Sequence, residues 1–229
     1  KTHMESNDIA EIINSLELPV KEDCVLAPFE SPIEAELHRE LSKYVHSDTI
    51  ISNQDEYRTP NGNYRGDFQL ARGDHKIVLE ANGKEYHDTL TDLYRGSFII
   101  GFSDVRSIYY IRGCDITYSL PTVLHAIAVH EPYLFSERGA ILLNALTDVK
   151  DTRGHTYYTD RICIQQGVLD DAASQERHPV AYRLMMLRKH GDDDMWKRVY
   201  NAALENPGIG ASDFDECFIR SPHYNKKYG

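Results

Sequence analysis

The chain has 229 residues, 41% of them hydrophobic, which is enough apolar surface for one large or two small domains with a proper core. Its formal charge of −11 makes it too acidic as a whole for tight, non-specific binding to a polyanion such as DNA. No apolar run reaches membrane-spanning length and nothing at the start resembles a secretory signal, so a cytoplasmic protein without membrane attachment is expected, with Lys1-Thr2-His3 read as a remnant ahead of a native Met4. Cys24, Cys114, Cys163 and Cys217 are widely separated, which argues against a zinc ribbon or a disulfide scaffold and for reduced, mostly buried thiols.

Ile9, Ile12, Ile13 and Leu16 recur at helical spacing and predict a short amphipathic helix over about 5–16, followed by a loop through Pro28. Ser31-Pro32-Ile33-Glu34 opens a second helix, over about 32–46, that carries Leu37, Leu41 and Tyr44. Thr49-Ile50-Ile51-Ser52 reads as a short strand, and residues 55–63, with Pro60-Asn61-Gly62-Asn63, as a polar loop. Phe68 and Leu70, then Ile77, Val78 and Leu79, are strand formers on either side of the turn signal Arg72-Gly73-Asp74, so a β-hairpin is predicted. A helix over about 88–103, a strand over 107–112 and a helical region from Leu120 to Val129 with Pro121 in its first turn come next. Arg161-Ile162-Cys163-Ile164, with Tyr157-Tyr158 before it, suggests a strand. Pro179 to His190, carrying Val180, Leu184 and Leu187, reads as the clearest helix of the C-terminal part. Met195 to Leu204, carrying Trp196, Val199 and Tyr200, reads as another that ends at Asn206-Pro207-Gly208.

The hairpin carries the chemistry. Alternation along its first strand puts Asp67 on one face with Gln69 and Ala71, and along its second strand puts Glu80 on a face with Val78 and Asn82. Pairing around the turn brings the two carboxylates together at one end, where each raises the other's pKa unless a cation lies between them. Mg²⁺ binds through one or two carboxylates together with waters and phosphate oxygens, so this pair suits metal-assisted hydrolysis of a phosphodiester.

Asp67, then Glu80-Ala81-Asn82-Gly83-Lys84 and His87, resembles the core of the PD-(D/E)XK nuclease superfamily, and most of all the small domains related to very-short-patch repair endonucleases. Ser31-Pro32-Ile33-Glu34 stands where that family places a helix-borne glutamate, and Asp92-Leu93-Tyr94-Arg95 followed by residues 107–112 is similar to its next helix and strand. The resemblance covers about residues 31–120. It implies an α/β fold with a mixed central sheet flanked by helices, a restriction-endonuclease-like core placed over 31–130; the residue patterns on either side suggest an acidic helix and linker over 1–30 and a mainly helical extension over 131–229. The resemblance further implies Mg²⁺ or Mn²⁺ as cofactor and DNA as substrate. Asp67 and Glu80 would hold the metal and Glu34 would complete its shell through a water, while Asn82 orients water, Lys84 stabilises charge on the phosphate and His87 protonates the leaving oxygen. The family often has lysine where this chain has Asn82, which brings no positive charge.

Other readings of the same residues stay open. Ser31-x-x-Glu34 is also a capping box, Asp67 and Glu80 could be solvated strand ends, and Asn82-Gly83 is by itself a turn signal. Lys84 could be an ordinary exposed lysine and His87 a surface residue. A nuclease fold that has lost its chemistry and serves as a binding module, and an RNA-directed nuclease, are the alternatives, with a homodimer or protein partner through 131–229 open as well. Charge is unevenly spread: residues 1–57 hold thirteen acidic against four basic residues, whereas 58–112 hold eight basic against seven acidic, so the motif region is near neutral. His125, His130 and Glu131 lack the four-apart histidine spacing of zinc proteases and a third ligand, and Asp192-Asp193-Asp194 reads as a self-solvating loop before the next helix.

Overall fold

The computed structural model describes residues 29–83, 89–147, 161–165, 169–170, 177–178, 183–190, 195–210 and 213–224. The helix expected over 5–16, the loop at Asp192-Asp193-Asp194, and Lys84 and His87 lie outside the described residues.

Ser31 caps helix α1 (Pro32–Tyr44) by accepting the Glu34 N–H at its hydroxyl, and Pro32 occupies the first turn, where its missing N–H costs nothing. A three-stranded antiparallel meander follows, β1 (Ile50–Thr59), β2 (Gly62–Arg72) and β3 (His75–Asn82). Helix α2 (Thr89–Phe102) then crosses over to β4 (Ser107–Arg112), which lies parallel to β3. Helix α3 (Gly113–His130), a single 3₁₀ turn, and helix α4 (Glu137–Leu146) come next. Strands β5 (Arg161–Gln165), β6 (Leu169–Asp170), β7 (Arg177–His178) and β8 (Arg183–Arg188) precede helices α5 (Met195–Glu205) and α6 (Phe214–Arg220). The main sheet has six strands in the order β1-β2-β3-β4-β8-β5, and β6 and β7 pair separately. The expected α/β architecture, a mixed sheet flanked by helices, is what the chain adopts.

Three layers result. Leu79, Tyr109 and Ile111 pack on one side of the sheet with Leu37 and Leu41 of α1, Leu124 of α3 and Leu143 of α4. Val78, Ile108 and Tyr110 pack on the other with Phe98 of α2, Val199 of α5 and Phe214 of α6. With both faces covered, the middles of β3 and β4 are the unbroken apolar runs Ile77–Leu79 and Ile108–Ile111 instead of alternating. No helix among the described residues is long and apolar enough to cross a membrane.

Several sequence expectations change. Residues 55–63 are not a loop: they form the outer halves of β1 and β2, joined by a two-residue turn at Pro60-Asn61 with Gly62 at φ 127°. This hairpin lies at the sheet edge with water on it, so its strands are polar. The helix expected at 179–190 is instead strand β8 at Arg183–Arg188, pairing β4 on one side and β5 on the other. Leu184 and Leu187, three apart, look helical in isolation, yet Leu184 and Met186 face one layer and Leu187 the other. A short apolar run cannot distinguish helix from buried strand by period, and the open edge of β4 decides it. The region after residue 131 therefore adds strands to the sheet as well as helices. Helix α3 begins about two turns before the expected Leu120 and breaks at Ser119 (φ −138°, ψ 20°), two residues ahead of Pro121. Cys114 and Cys217 are free thiols, but Cys114 is exposed and not buried.

Candidate functional site

Strands β2 and β3 are paired from Arg72↔His75 to Phe68↔Leu79 and then part: β2 continues beside β1 to Gly62, β3 beside β4 to Asn82. Asp67 sits at the point of parting. Its Oδ2 accepts the Ala81 N–H at 2.7 Å, taking the bond a β2 carbonyl would accept if the ladder went on. Opposite Asp67, the β1 ladder skips Gln54, which has φ 58°, and resumes in the same register at Asp55↔Gly66. Both strands turn over there. Ile51 packs in the α1 layer and Tyr57, six residues on, in the α2 layer; Phe68 packs in the first, while a side chain at Gly66 would meet Val78 and Tyr57 of the second. Strict alternation, on which the sequence placed Asp67 beside Gln69, fails at this residue. A left-handed non-glycine residue costs about 1–2 kcal/mol, and what it achieves here is to direct the Gln54 amide to Glu34 Oε2 at 3.3 Å.

The parting strands open a cavity of 690 Å³ whose walls include Glu34 of α1, Asp67 of β2, Glu80 of β3 and Arg95 of α2. Three of the residues singled out in the sequence, Glu34, Asp67 and Glu80, thus face one space. Glu80 is 7% exposed, and its pKa lies well above the ordinary 4.5. Burial is the largest cause, the Asp67 carboxylate the next; Arg95 pulls the other way, and Asp92 and Glu34 push it further up. Glu34 is held on every side. Its Oε1 accepts the Ser31 hydroxyl at 2.7 Å, and its Oε2 accepts the Glu30 N–H at 3.2 Å besides the Gln54 amide, so capping and cavity lining belong to the same side chain.

Asn82 is absent from the cavity wall. Its Nδ2 donates to Asp92 Oδ2 at 2.9 Å, and because a carboxylate only accepts, that bond fixes the amide orientation. Its Oδ1 is buried with no hydrogen-bond partner among the described residues. Asp92 is held in turn through its backbone, whose carbonyl accepts the Tyr110 hydroxyl at 2.9 Å. The sequence reading missed the roles of Arg95, Asp92 and Gln54. Arg95 and Asp92 fall on successive turns of α2, a signal visible only once the turn-to-cavity geometry is known.

Five carboxylates (Glu30, Glu34, Glu56, Asp67 and Glu80) line the cavity against two guanidinium groups, Arg65 and Arg95. Glu30 neutralises one of these, accepting from Arg65 at 2.6 Å, while Arg95 donates to the Arg65 carbonyl at 3.4 Å. Such a wall repels phosphate unless a cation is added. No three His, Cys, Asp or Glu side chains among the described residues are grouped so as to hold a metal ion. What the donor chemistry fits is a cation held by two carboxylates with its other positions filled by water, which is how Mg²⁺ is commonly bound. His130 and Glu131 lie elsewhere, on a separate pocket. No protein-family model matches the chain, and neither a curated protein nor a solved structure matches it.

Proposed function

We propose that this protein is a metal-dependent endonuclease acting on DNA phosphodiester bonds at the cavity between β2 and β3. The observation that carries the proposal is the buried Glu80 carboxylate facing Asp67 in a cavity large enough for a nucleotide segment. The resemblance of Asp67, Glu80 and Glu34 to the PD-(D/E)XK pattern supports it. Asp67 and Glu80 would hold Mg²⁺ or Mn²⁺, which when bound lowers the pKa of water and offsets phosphate charge. Glu34, with its oxygens committed to Ser31, Glu30 and Gln54, acts as a positioned acceptor at the cavity wall and orients a water there. Asn82 holds Asp92 in place beside Glu80 and so sets the field at that carboxylate. Arg95 supplies the positive charge that Asn82 lacks, on the cavity wall and electrostatically coupled to Glu80.

Plasmid and single-stranded DNA, with an RNA of the same sequence alongside, are the substrates to test with Mg²⁺ and Mn²⁺. Asp67→Asn keeps an acceptor for the Ala81 N–H but removes the charge, so the fold stays and cleavage falls about a hundredfold or more. Full activity in that variant rules the site out. Calorimetric titration with Mn²⁺ that finds no binding favours a nuclease-shaped binding module instead, and cleavage of RNA alone reassigns the substrate.

Arg95→Gln should lower cleavage by roughly tenfold or more, the loss of one charged contact to the phosphate. It should also move the acidic limb of the pH–rate profile to higher pH. Arg95 holds the Glu80 pKa down, so without it Glu80 ionises later. An unchanged profile separates Arg95 from Glu80.

A further inference from the structure

At the other end of β3 and β4 a second pocket, of 290 Å³, is walled by His75, Arg106, His130, Glu131, Arg188 and His190 together with Ser107. His75 and Glu80 are five positions apart on β3, roughly 16 Å along an extended strand, so the two pockets are distinct. Glu131, 3% exposed, is the one carboxylate on this wall, and both of its oxygens are taken. Oε1 accepts the Tyr109 hydroxyl at 2.6 Å and Arg188 Nη2 at 3.1 Å; Oε2 meets His75 Nε2 at 2.6 Å. Arg106 Nη1 lies 3.0 Å from His75 Nδ1. A guanidinium only donates, so Nδ1 accepts and the His75 proton sits on Nε2, donated to Glu131.

Glu131 therefore braces Arg188 and His75 from behind, and His75 braces Arg106. None of these bonds uses up a guanidinium, which has five donors. Two arginines against one already satisfied carboxylate leave the pocket positive in a chain of net charge −11. His130 Nε2 is buried with no hydrogen-bond partner among the described residues, a ring nitrogen that a ligand oxygen would satisfy. Arg106 precedes β4, His130 ends α3 and Arg188 ends β8, so the donors converge from three elements. That arrangement suits a tetrahedral oxyanion better than a planar carboxylate. The volume lies just below the range of about 300–1,000 Å³ for small-molecule sites and so suits a small ligand.

We infer that this pocket is a binding site for a single phosphate group, free or as the monoester of a small molecule, contacted by Arg106, Arg188 and His130. The site does not depend on hydrolysis at the β2–β3 cavity.

The test is titration of the full chain with inorganic phosphate at constant ionic strength, followed through the imidazole C–H resonances, with a nucleoside 5′-monophosphate and its unphosphorylated nucleoside in parallel. Saturable shifts of the His75 and His130 resonances are expected with both phosphate compounds and not with the nucleoside. Tighter binding of the monophosphate identifies an ester as ligand, and equal binding the free anion. Arg106→Gln, a change at an exposed side chain that leaves the fold intact, and His130→Gln should each weaken binding about tenfold or more. Glu80→Gln should leave it unchanged, which keeps this result separate from any phosphate bound at the other cavity. Shifts that do not saturate, or affinities equal in the parent chain and both pocket variants, overturn the inference.

Discussion

Glu80→Gln is expected to reduce Mg²⁺-dependent cleavage by about a hundredfold or more and, measured without metal, to raise thermal stability. The two effects share one cause. Glu80 is buried against Asp67 with Asp92 and Glu34 nearby, so its ionised form is disfavoured in the folded chain and its pKa is raised. Below about pH 4.5, the ordinary value, Glu80 is protonated in both folded and unfolded chains, and parent and variant should be similarly stable. Above it the unfolded chain releases the proton first. The penalty on the folded state then grows with pH until the raised folded pKa is passed, and stays constant beyond it. The stability gap in favour of Glu80→Gln should widen over that window. Divalent cation should raise the midpoint of the parent chain and leave the variant little changed, because binding to the folded state alone shifts the equilibrium by mass action. Melting curves across pH, with and without Mg²⁺, check all three statements. A parent chain more stable than the variant at neutral pH without metal removes the account of Glu80 as a buried charge held for function.

The second large effect is at Gly96, on the buried side of α2. A methyl group there would collide with the Tyr110 hydroxyl and press on Leu187 Cδ2 at 3.1 Å and Ile108 Cδ1 at 3.2 Å. Helix α2 lies this close to the sheet because residue 96 has no side chain, and the closeness lets the Tyr110 hydroxyl reach the Asp92 carbonyl. Gly96→Ala gains helix propensity but overpacks a filled core, for a net destabilisation of about 1–3 kcal/mol. It should also lower cleavage, since Arg95 and Asp92 move with the helix. Tyr110→Phe removes the colliding atom. In the double variant Gly96→Ala, Tyr110→Phe the loss should be smaller than the sum of the two single losses, a coupling that denaturant unfolding measures. Strict additivity would mean the helix is held at this distance by other contacts.

Much of this was legible in the chain itself. Ser31-Pro32 announces a capped helix start, Arg72-Gly73-Asp74 a hairpin turn, and the runs Ile77–Leu79 and Ile108–Ile111 strands covered on both faces. Hairpin pairing singles out Asp67 and Glu80 as candidate site residues, the resemblance to the PD-(D/E)XK pattern adds Glu34, and the three line one cavity. Long-range choices were less accessible. Residues 183–188 become a strand because β4 leaves an unpaired edge for them, and nothing within their own spacing records that edge. Residues 55–63 carry turn formers and polar side chains because an edge hairpin faces water, and a loop has the same composition.

The sequence by itself determined the element types wherever local chemistry decides them, and it determined which carboxylates lie near the hairpin end, since the first follows from short-range sterics and the second from each residue's distance from the turn. Only the tertiary structure decided that β2 and β3 part at Asp67, that Gln54 turns the edge strand over opposite it, and that Arg95 and Asp92 reach Glu80 from another layer. Those outcomes depend on contacts between residues far apart in the chain, where the free energy of burying one carboxylate is set by charges that no local pattern brings together.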